Sequence, residues 1–423
     1  MRTLDVYLDN ELVGHIEENR KGARFRYDLD TADKLAGRPV LSVAFPAKAR
    51  PFGESKTSNW FNGLLPEGDR RSSICRSLGI SPYDWIGLLA EIGWECAGAV
   101  RVFEADGARP NGSDWKTVTP TDLAEQLKAI SNRAPLATGS TTRMSLGGFQ
   151  EKMCVTMPPL ERGKAHVTAT GVSMPTGNAA STHILKPENE LEYPGVAESE
   201  AWAMTAASYA AQTSRIALLE LDDAPATIVV QRFDRTFGEN PKRTKRLHQE
   251  DACQALGLAP NEKYATTSDA KGNDPTYAAM AALLQRFAAD PEQEKVELLR
   301  QMTVNLALGN WDAHAKNTAF LYREPMVPTL APLYDVVPIA EVEPRTEFLS
   351  MRVNGIIKPD EITRTDVVAE ATTWGIGEEE ANSIVAETLN NLETGAQEAS
   401  AAYPGAGKRH EASALARITR LKK

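Results

Sequence analysis

Apolar and polar residues alternate at the start of the chain. The apolar ones stand at every second position within 4–8 and again within 25–29, and Asp9-Asn10 lies between the two runs. A period of two residues is typical of strands with one buried face, and Asp and Asn are common turn residues. The pattern therefore predicts β-structure over residues 3–30 with a turn at Asp9-Asn10.

Over residues 60–103, some apolar residues have the spacing of a helix and others form short apolar runs. Asp84 through Leu89 has the sequence of a short helix with a capping residue at its start. Residues 104–120 are rich in Gly, Pro, Asn and Asp, which is typical of a linker. A helix is predicted next over 121–131, with Thr121 as its N-cap.

The remaining sequence predicts a small β-rich lobe followed by a larger helical one. Residues 143–235 have mainly strand patterning, interrupted by an alanine-rich helix at 198–212. Such an order of elements predicts the α+β class. Beyond residue 245 the predicted helices are 250–257, 275–290, 293–309, 361–371, 378–398 and 411–422.

Composition places the chain among ordinary globular proteins. Hydrophobic residues make up 42% and charged residues 25% of its 423 positions. We expect a cytoplasmic protein, because the sequence has no apolar run long enough for a bilayer and its first ten residues lack the apolar core of a secretory signal. The cysteines are far apart and form no CxxC pair, which predicts reduced, buried thiols. They are Cys75, Cys96, Cys154 and Cys253.

The net charge of −10 argues against a protein that grips DNA by itself, because neutralisation of phosphates dominates such binding. The end of the chain is nevertheless locally basic. We interpret this stretch as a solvated helix end or a fraying tail. Its basic residues are Lys408, Arg409, Arg417, Arg420, Lys422 and Lys423.

The strongest chemical signal is the pair Asp312 and Asn317, which are separated by four residues after an apolar helix. This is the spacing of the catalytic loop of protein kinases. The Asp accepts or orients the proton of the attacking hydroxyl, and the Asn offers an oxygen ligand to magnesium. The isolated pattern is common, however, and a polar loop that caps a helix would have the same sequence.

Further segments occur in the order that kinase catalysis requires. Asp335 follows a strand-like stretch, at the place of a second metal-binding aspartate. Lys186 ends a short β-like run and could hold phosphates, while Glu198 or, preferably, Glu200 on the next helix could pair with it. Upstream, residues 143–152 include two adjacent glycines whose backbone amides could approach a phosphate. The same loop is equally compatible with a plain hairpin turn.

At these residues the chain resembles the HipA family of bacterial serine/threonine kinases. The resemblance covers nearly the whole length. Its segments are Asn62–Gly68, Leu88–Gly93, Gly98–Val100, Ser145–Lys152, Thr182–Lys186, Arg232–Arg235, Gln249–Asp251, Lys263-Tyr264, Asp312–Asn317 and Tyr334-Asp335.

The resemblance implies a protein-kinase-like, two-lobed α+β fold that uses ATP and Mg2+. It implies an N-terminal subdomain at 1–105, a linker at 106–120, an ATP-binding region at 121–235 and a helical lobe at 236–423. It makes Asp312 the catalytic residue, Asn317 and Asp335 the metal ligands, and Glu200 the partner that orients Lys186. The implied ATP-binding residues are Gly147, Gly148, Phe149, Gln150, Glu151, Lys152, Lys186, Gln231, Arg232, Phe233, His314, Ala315, Lys316, Asn317, Tyr334 and Asp335.

The resemblance also implies a biological role. Members of this family are toxins of toxin–antitoxin pairs, held inactive by a HipB-like helix-turn-helix antitoxin that binds operator DNA. Their best-known target is glutamyl-tRNA synthetase, whose phosphorylation causes growth arrest and persistence. They also phosphorylate a serine of the phosphate loop, and Ser145 matches that position. Two departures from the family pattern are Gln231, where an acidic residue is frequent, and Ser199, where Asn is frequent.

Two other functions are compatible with parts of the sequence. One is a non-catalytic corepressor module that strengthens operator binding by the antitoxin. The complete set of kinase residues argues against it. The other is a small-molecule kinase of the aminoglycoside or lipid type, which shares the Asp-x-x-x-x-Asn loop. The first hundred residues, which resemble HipA N-terminal segments, argue against that one.

Overall fold

The structure is a computed structural model that describes residues 1–107, 112–132, 151–189, 191–238, 243–266, 274–343 and 347–423. The strands in these ranges are β1 (Thr3–Leu8), β2 (Glu11–Asn19), β3 (Gly22–Tyr27), β4 (Val100–Glu104), β5 (Ser113–Thr117), β6 (Met153–Val155), β7 (His166–Thr168), β8 (Ser173–Gly177), β9 (His183–Pro187), β10 (Ile216–Glu220), β11 (Thr227–Gln231), β12 (Arg235–Thr236), β13 (Lys245–Arg246), β14 (His248–Asp251), β15 (Ala319–Glu324) and β16 (Val327–Leu330).

The α-helices in the same ranges are α1 (Leu29–Lys34), α2 (Glu54–Gly63), α3 (Gly68–Leu78), α4 (Trp85–Ile92), α5 (Pro120–Ser131), α6 (Val196–Ala207), α7 (Ala252–Leu256), α8 (Tyr277–Phe287), α9 (Pro291–Leu308), α10 (Ile339–Val342), α11 (Arg364–Thr372), α12 (Glu378–Ala402) and α13 (Pro404–Lys422). Short 3-10 turns lie at Pro260–Glu262, Ala315–Asn317 and Pro359–Glu361. The predicted α+β class is confirmed.

An antiparallel sheet in the order β3-β2-β1-β4 organises the N-terminal unit. The predicted turn between β1 and β2 is confirmed, and Asp9 adopts a φ of 53°, a left-handed conformation that Asp tolerates better than most residues. The predicted strand over 3–30 is wrong at its end. The side chain of Asp28 accepts a hydrogen bond from the amide of Asp30 and caps a helix, so Leu29 begins α1 and is exposed.

The core of this unit is aromatic. The ring centroid of Phe25 lies 4.9 Å from that of Tyr27, and the centroids of Trp60 and Phe61 on α2 are also 4.9 Å apart, both with edge-on geometry. On the other side of the core lies α4, whose predicted cap is confirmed, since the Asp84 side chain accepts from the amide of Gly87. The sheet and the two helices therefore bury one common core.

The second lobe contains a sheet in the order β6-β9-β11-β10-β7, with β5 and β8 paired beside it. Because β5 (113–117) belongs to this pair, the predicted linker at 106–120 is not a simple connection. The predicted N-cap Thr121 is also wrong. Thr119 caps α5 by accepting from the amide of Asp122, and Pro120 occupies the first helical position, where its missing N–H is harmless.

The largest core belongs to the helical lobe, and its central helix is α9. Asp290 caps this helix, Pro291 is its first residue, and Gly309 ends it with a φ of 75° in the left-handed region. The predicted helices occur near their expected positions, with shifted ends. The alanine-rich helix ends at Ala207 instead of 212, and α13 begins at Pro404, seven residues before the predicted 411.

Of the two interpretations of the basic end of the chain, the fraying tail is wrong, because residues 404–422 form α13. A solvated helix fits Lys408, Arg409 and Lys423, which are exposed, but not Arg417, which is mostly buried. Six residues of α13 are buried, namely Ala406, Gly407, His410, Ala414, Ile418 and Leu421. The four cysteines are buried thiols, as predicted. A search of the described helices for one long and apolar enough to cross a membrane finds none.

Candidate active site

A cavity of about 430 Å3 lies between the β-rich and helical lobes. Residues from distant parts of the sequence line it, because the ends of β9 and β11 face the loop that follows α9. The residues predicted for the site that line it are Glu151, Lys152, Lys186, Gln231, Arg232, Phe233, Asp312, His314, Lys316, Asn317, Tyr334 and Asp335. Ser145, Gly147, Gly148, Phe149 and Gln150 lie outside the described residues.

Lys186 is held from two sides. Its position on β9, between β6 and β11, fixes its backbone, and its Nζ donates to Glu200 Oε1 at 2.7 Å and to Asp335 Oδ1 at 2.5 Å. Burial alone would lower the pKa of Lys186, but the two carboxylates outweigh it and raise that pKa, so the lysine stays charged. The departure at Ser199 does not prevent the pairing of Lys186 with Glu200.

The loop after α9 is fixed by its own polar residues. Asn310 Nδ2 donates to Asn305 Oδ1 at 2.9 Å, and the carbonyl of Asp312 accepts from the amide of His314 at 2.7 Å. Ser350 Oγ donates to Asp312 Oδ1 at 3.2 Å. Burial, followed by repulsion from the nearby carboxylate of Asp335, raises the pKa of Asp312 to about 6. A carboxylate with such a pKa is suited to proton transfer near neutral pH.

Asn317 and Asp335 offer the oxygen atoms that magnesium prefers. The side-chain amide of Asn317 donates to the carbonyl of Asp312 at 3.4 Å, and its side-chain oxygen has the chemistry of a metal ligand. Burial would raise the pKa of Asp335, but Lys186 and Lys152 outweigh it and lower that pKa to about 2. The described residues contain no cluster of three or more acidic, His or Cys ligands. One carboxylate and one amide oxygen suffice for Mg2+, because water molecules and phosphate oxygens usually fill its other coordination positions.

Two further titratable groups face the cavity. Burial, together with the charges of Arg70 and Lys186, lowers the pKa of Lys152 to about 7. Burial and the charge of Lys263 lower the pKa of His314 to about 3, so this imidazole is neutral at physiological pH. An anion that enters the cavity would therefore meet a positive charge on Lys186 at any physiological pH, whereas the charge on Lys152 depends on the pH.

The end of β11 and the residues after it line the cavity. Gln231 Oε1 accepts from the amide of Leu160 at 2.8 Å. The guanidinium of Arg232 is buried and donates to Asp234 Oδ2 at 2.7 Å. These two side chains are therefore directed to protein partners, whereas the ring of Phe233 packs against Tyr334 with centroids 5.3 Å apart. A ligand at this strand end would meet backbone groups and aromatic rings.

Two other predicted site residues are buried members of the catalytic loop itself. Ala315 is fully buried and does not line the cavity. Lys316 lines it, but its Nζ donates to the carbonyl of Gly63 at 2.9 Å and to Asp251 Oδ2 at 3.0 Å. Tyr334 in turn donates its hydroxyl to the carbonyl of Lys316 at 2.7 Å. The ammonium of Lys316 therefore fastens the loop to the N-terminal unit.

Sequence reasoning gave no role to several residues that support the site. Ser350 and Tyr264 both form hydrogen bonds with Asp312. Lys263 Nζ donates to Glu67 Oε2 of the N-terminal unit at 3.1 Å. The resemblance includes Lys263, Tyr264 and Glu67, so their positions were marked without a function. Ser350 lies in no motif, and the sequence contained no signal for it.

The chain has a β-rich lobe, a helical lobe and a cleft between them. At this cleft a lysine–glutamate pair lies beside two aspartates. These features define a protein of the kinase-like class. Residues 144–396 match the family model described as the HipA-like C-terminal domain. Residues 4–103 match the HipA N-terminal domain. The chain therefore belongs to the HipA family, as its sequence motifs predicted.

Individual relatives agree with this assignment. Y4mE of Sinorhizobium fredii, named as a candidate kinase, is 32% identical over 368 residues, which are 84% of this chain and 81% of that protein. The serine/threonine-protein kinase toxin HipA of Shewanella oneidensis is 25% identical over 372 residues, 85% of this chain and 80% of the toxin.

One solved structure resembles the chain over almost its whole length. It is that of Shewanella oneidensis HipA in complex with HipB and operator DNA. It matches with a TM-score of 0.81 at 22% identity, covering 99% of this chain and 97% of that one. This likeness confirms the predicted kinase-like, two-lobed fold.

Proposed function

We propose that this protein is an ATP-dependent serine/threonine protein kinase and the toxin of a toxin–antitoxin pair. The observation that carries the proposal is the convergence, in one cavity, of a charged lysine, a carboxylate with a raised pKa and two metal-compatible oxygens. These groups belong to Lys186, Asp312, Asn317 and Asp335. Such a combination matches what phosphoryl transfer requires.

Each residue has a role in this proposal. Lys186 binds the phosphates of ATP, and Glu200 orients it. Asn317 and Asp335 would hold Mg2+, which supplies charge neutralisation at the phosphates when it is bound. Asp312 receives the proton of the acceptor hydroxyl as the oxygen–phosphorus bond forms and the bond to the leaving ADP breaks. The adenine lies at residues 231–233 and contacts backbone groups.

The phosphate loop supplies a means of silencing in the same proposal. Ser145, outside the described residues, is phosphorylated by the enzyme itself. A phosphoserine there adds about −1.5 to −2 charges close to the triphosphate. Because like charges repel, the modified loop and ATP exclude each other from the site.

The proposed partner is a HipB-like helix-turn-helix antitoxin, as in the Shewanella complex. The net charge of −10 supports a mode in which operator DNA is contacted mainly through the antitoxin. The proposed acceptor is a translation protein, glutamyl-tRNA synthetase or a similar enzyme, whose phosphorylation would arrest growth and produce persistence. The small-molecule alternative is disfavoured by residues 4–103, which match the HipA N-terminal domain.

Nucleotide binding is the first test. Mg-ATP should raise the unfolding temperature of the purified chain, because a ligand of the folded state stabilises it. Lys186→Met should abolish the rise. Lys34→Met is the matched control, since Lys34 forms an exposed ion pair with Asp30. No rise at millimolar Mg-ATP would contradict the kinase and favour a non-catalytic corepressor module.

The acceptor is then identified by phosphoproteomics after brief induction in cells that lack the antitoxin. We expect new phosphorylation on a protein of translation and on Ser145. Phosphorylation of metabolites alone would place the chain among the small-molecule kinases instead.

A further inference from the structure

Helix α13 lies beyond residues 144–396, the part of the chain that matches the family's C-terminal model. The structure nevertheless places it against two elements of the candidate site. One is α6, which carries Glu200, and the other is the end of α9, from which the catalytic loop starts. A helix that contacts both elements can fix their relative position.

The first half of α13 holds the start of α6. The amide of Gly405 donates to Glu198 Oε1 at 3.0 Å, and Arg409 Nη2 donates to Glu198 Oε2 at 2.9 Å. Arg409 also donates to the carbonyl of Gly195, the residue before α6, at 3.2 Å. His410 Nε2 lies 2.8 Å from Ser199 Oγ. The residue immediately before Glu200 is therefore fixed by α13.

The packing at this contact leaves little room for movement. A Cβ added to Gly405 would lie 2.5 Å from Glu198 Oε2, so a larger residue there would displace the Glu198 carboxylate from its present position. On the neighbouring α12, a Cβ at Gly395 would lie 2.4 Å from the carbonyl oxygen of Ala206 on α6. These close approaches show that α12 and α13 are seated directly on α6.

The second half of α13 holds the catalytic loop. Arg417 Nε donates to the carbonyl of Ala307, in the last turn of α9, at 3.1 Å. Its Nη1 donates to Glu341 Oε1 on α10 at 2.6 Å. A Cβ at Gly309 would lie 2.7 Å from Nη2 of the same arginine, so the loop begins directly against this side chain.

The two anchor points share one face of a single helix. His410 and Arg417 are seven residues apart, which is two helical turns and about 10 Å along the axis. Both lie near Glu341, since Arg417 donates to its Oε1 and His410 Nδ1 lies 3.9 Å from its Oε2, beyond hydrogen-bond distance. His410 is 1% exposed, so these contacts form inside the protein.

We propose that α13 acts as a coupling helix that positions Glu200 on Lys186 relative to the catalytic loop. Arg409 and His410 are the positioning residues on the α6 side, and Arg417 is the one on the loop side. The inference rests on the proposed function, since it concerns how the nucleotide-binding lysine is held. The relative position of the catalytic residues then depends on a helix that contributes no residue to the cavity.

The test measures the dissociation constant of Mg-ATP by calorimetry for the full chain. Arg409→Ala/His410→Ala should weaken binding about tenfold, because the contacts that hold α6 beside Glu200 are removed. The same double change in a Glu200→Gln background should add less than about a twofold loss, because its effect passes through Glu200. A loss of equal size in both backgrounds would indicate general destabilisation and overturn the proposal.

A matched control lies on the same helix. Arg420 Nη1 donates to Asp360 at 2.9 Å, away from both α6 and the catalytic loop. Arg420→Ala should leave the affinity unchanged, and a tenfold loss there would overturn the assignment to Arg409 and His410. Ser199→Ala removes the partner of His410 by deleting one oxygen atom. It should weaken binding about threefold even if the double variant does not fold.

The failures of the two proposals can be told apart. Wild-type protein that binds Mg-ATP, together with a folded double variant of equal affinity, would overturn the role of α13 and leave the kinase proposal standing. Wild-type protein that binds no nucleotide would overturn both.

Discussion

Lys186 donates a hydrogen bond of 2.5 Å to Asp335, a residue 149 positions later in the chain. This contact joins β9 of the β-rich lobe to the loop that follows β16. Glu200 is the second partner of the lysine. The charge of Lys186 is therefore balanced by two carboxylates, and its position depends on both of them.

Glu200→Gln tests the first of these contacts. The lysine should lose its anchor on α6 and remain paired with Asp335, so we expect the KM for ATP to rise about tenfold and kcat to fall. Steady-state kinetics measure both. Glu220→Gln, at the exposed end of β10, is the control and should change neither. Unaltered kinetics in Glu200→Gln would show that the pair has no part in nucleotide binding.

Activity should depend on the protonation of Asp312. Its pKa is raised to about 6, and only the ionised carboxylate accepts a proton, so kcat/KM should increase with pH through about 6 and then level off. The hydrogen bond from Ser350 stabilises the ionised form. Ser350→Ala should therefore move the acid limb to higher pH. The control Ser77→Ala, on the surface of α3, should leave the profile in place. An acid limb that is identical in Ser350→Ala would refute this assignment.

Nucleotide binding should be accompanied by proton uptake at Lys152. Its pKa is lowered to about 7, so slightly above neutral pH the side chain is largely uncharged. A bound triphosphate favours the charged form, and a proton is then taken up. Calorimetry of ATP binding in buffers of different ionisation enthalpy measures this uptake. Lys152→Met should remove it, whereas Lys164→Met, an exposed residue, should not. Equal uptake in Lys152→Met would place the proton elsewhere.

Glu95 should be essential for stability. Its buried carboxylate accepts from Arg232, Arg235 and Arg246. Glu95→Gln leaves these cations without their shared anion and should lower the free energy of unfolding by about 3–5 kcal/mol. Urea unfolding measures the loss, and Glu104→Gln at the exposed end of β4 should be neutral.

The same carboxylate gives the stability a pH dependence. Burial would raise the pKa of Glu95, but the three arginines outweigh it and hold that pKa well below its usual 4.5. The stabilisation is therefore fully present above about pH 4.5 and is lost as the pH falls through the lower, folded-state pKa. The wild type should lose stability in this acidic range more steeply than Glu95→Gln. Parallel curves for the two proteins would contradict the assignment.

The sequence predicted those parts of the site that depend on local spacing. Asp312 and Asn317 lie five positions apart on one loop, and the lysine with its candidate glutamates was recognisable from a strand followed by a helix. The buried polar contacts between distant parts of the chain were not predictable. Arg232 reaches Glu95 across 137 positions, and Glu250 reaches Ser42 across 208. Such partners meet only after the chain has folded, and the pattern of apolar and polar residues does not indicate which of them will pair.

Two errors have identifiable physical causes. Thr119 and Thr121 are both acceptable capping residues, and Pro120 decides between them because proline is favoured at the first helical position. The basic end of the chain is a helix with exposed charges at Lys408, Arg409 and Lys423, but not every basic residue on it is solvated. Arg417 is instead directed inward, where it contacts a helix end about a hundred residues earlier.

The central claim is that Asp312 faces an incoming hydroxyl beside a magnesium-bound triphosphate. Transfer of labelled γ-phosphate from ATP, measured in a single turnover, tests it most directly with the wild type, Asp312→Gln and the surface control Asp360→Gln. The account predicts that Asp312→Gln binds Mg-ATP and keeps its unfolding temperature but transfers phosphate at least about 100-fold more slowly, while the control is unchanged. Undiminished transfer by Asp312→Gln would contradict it.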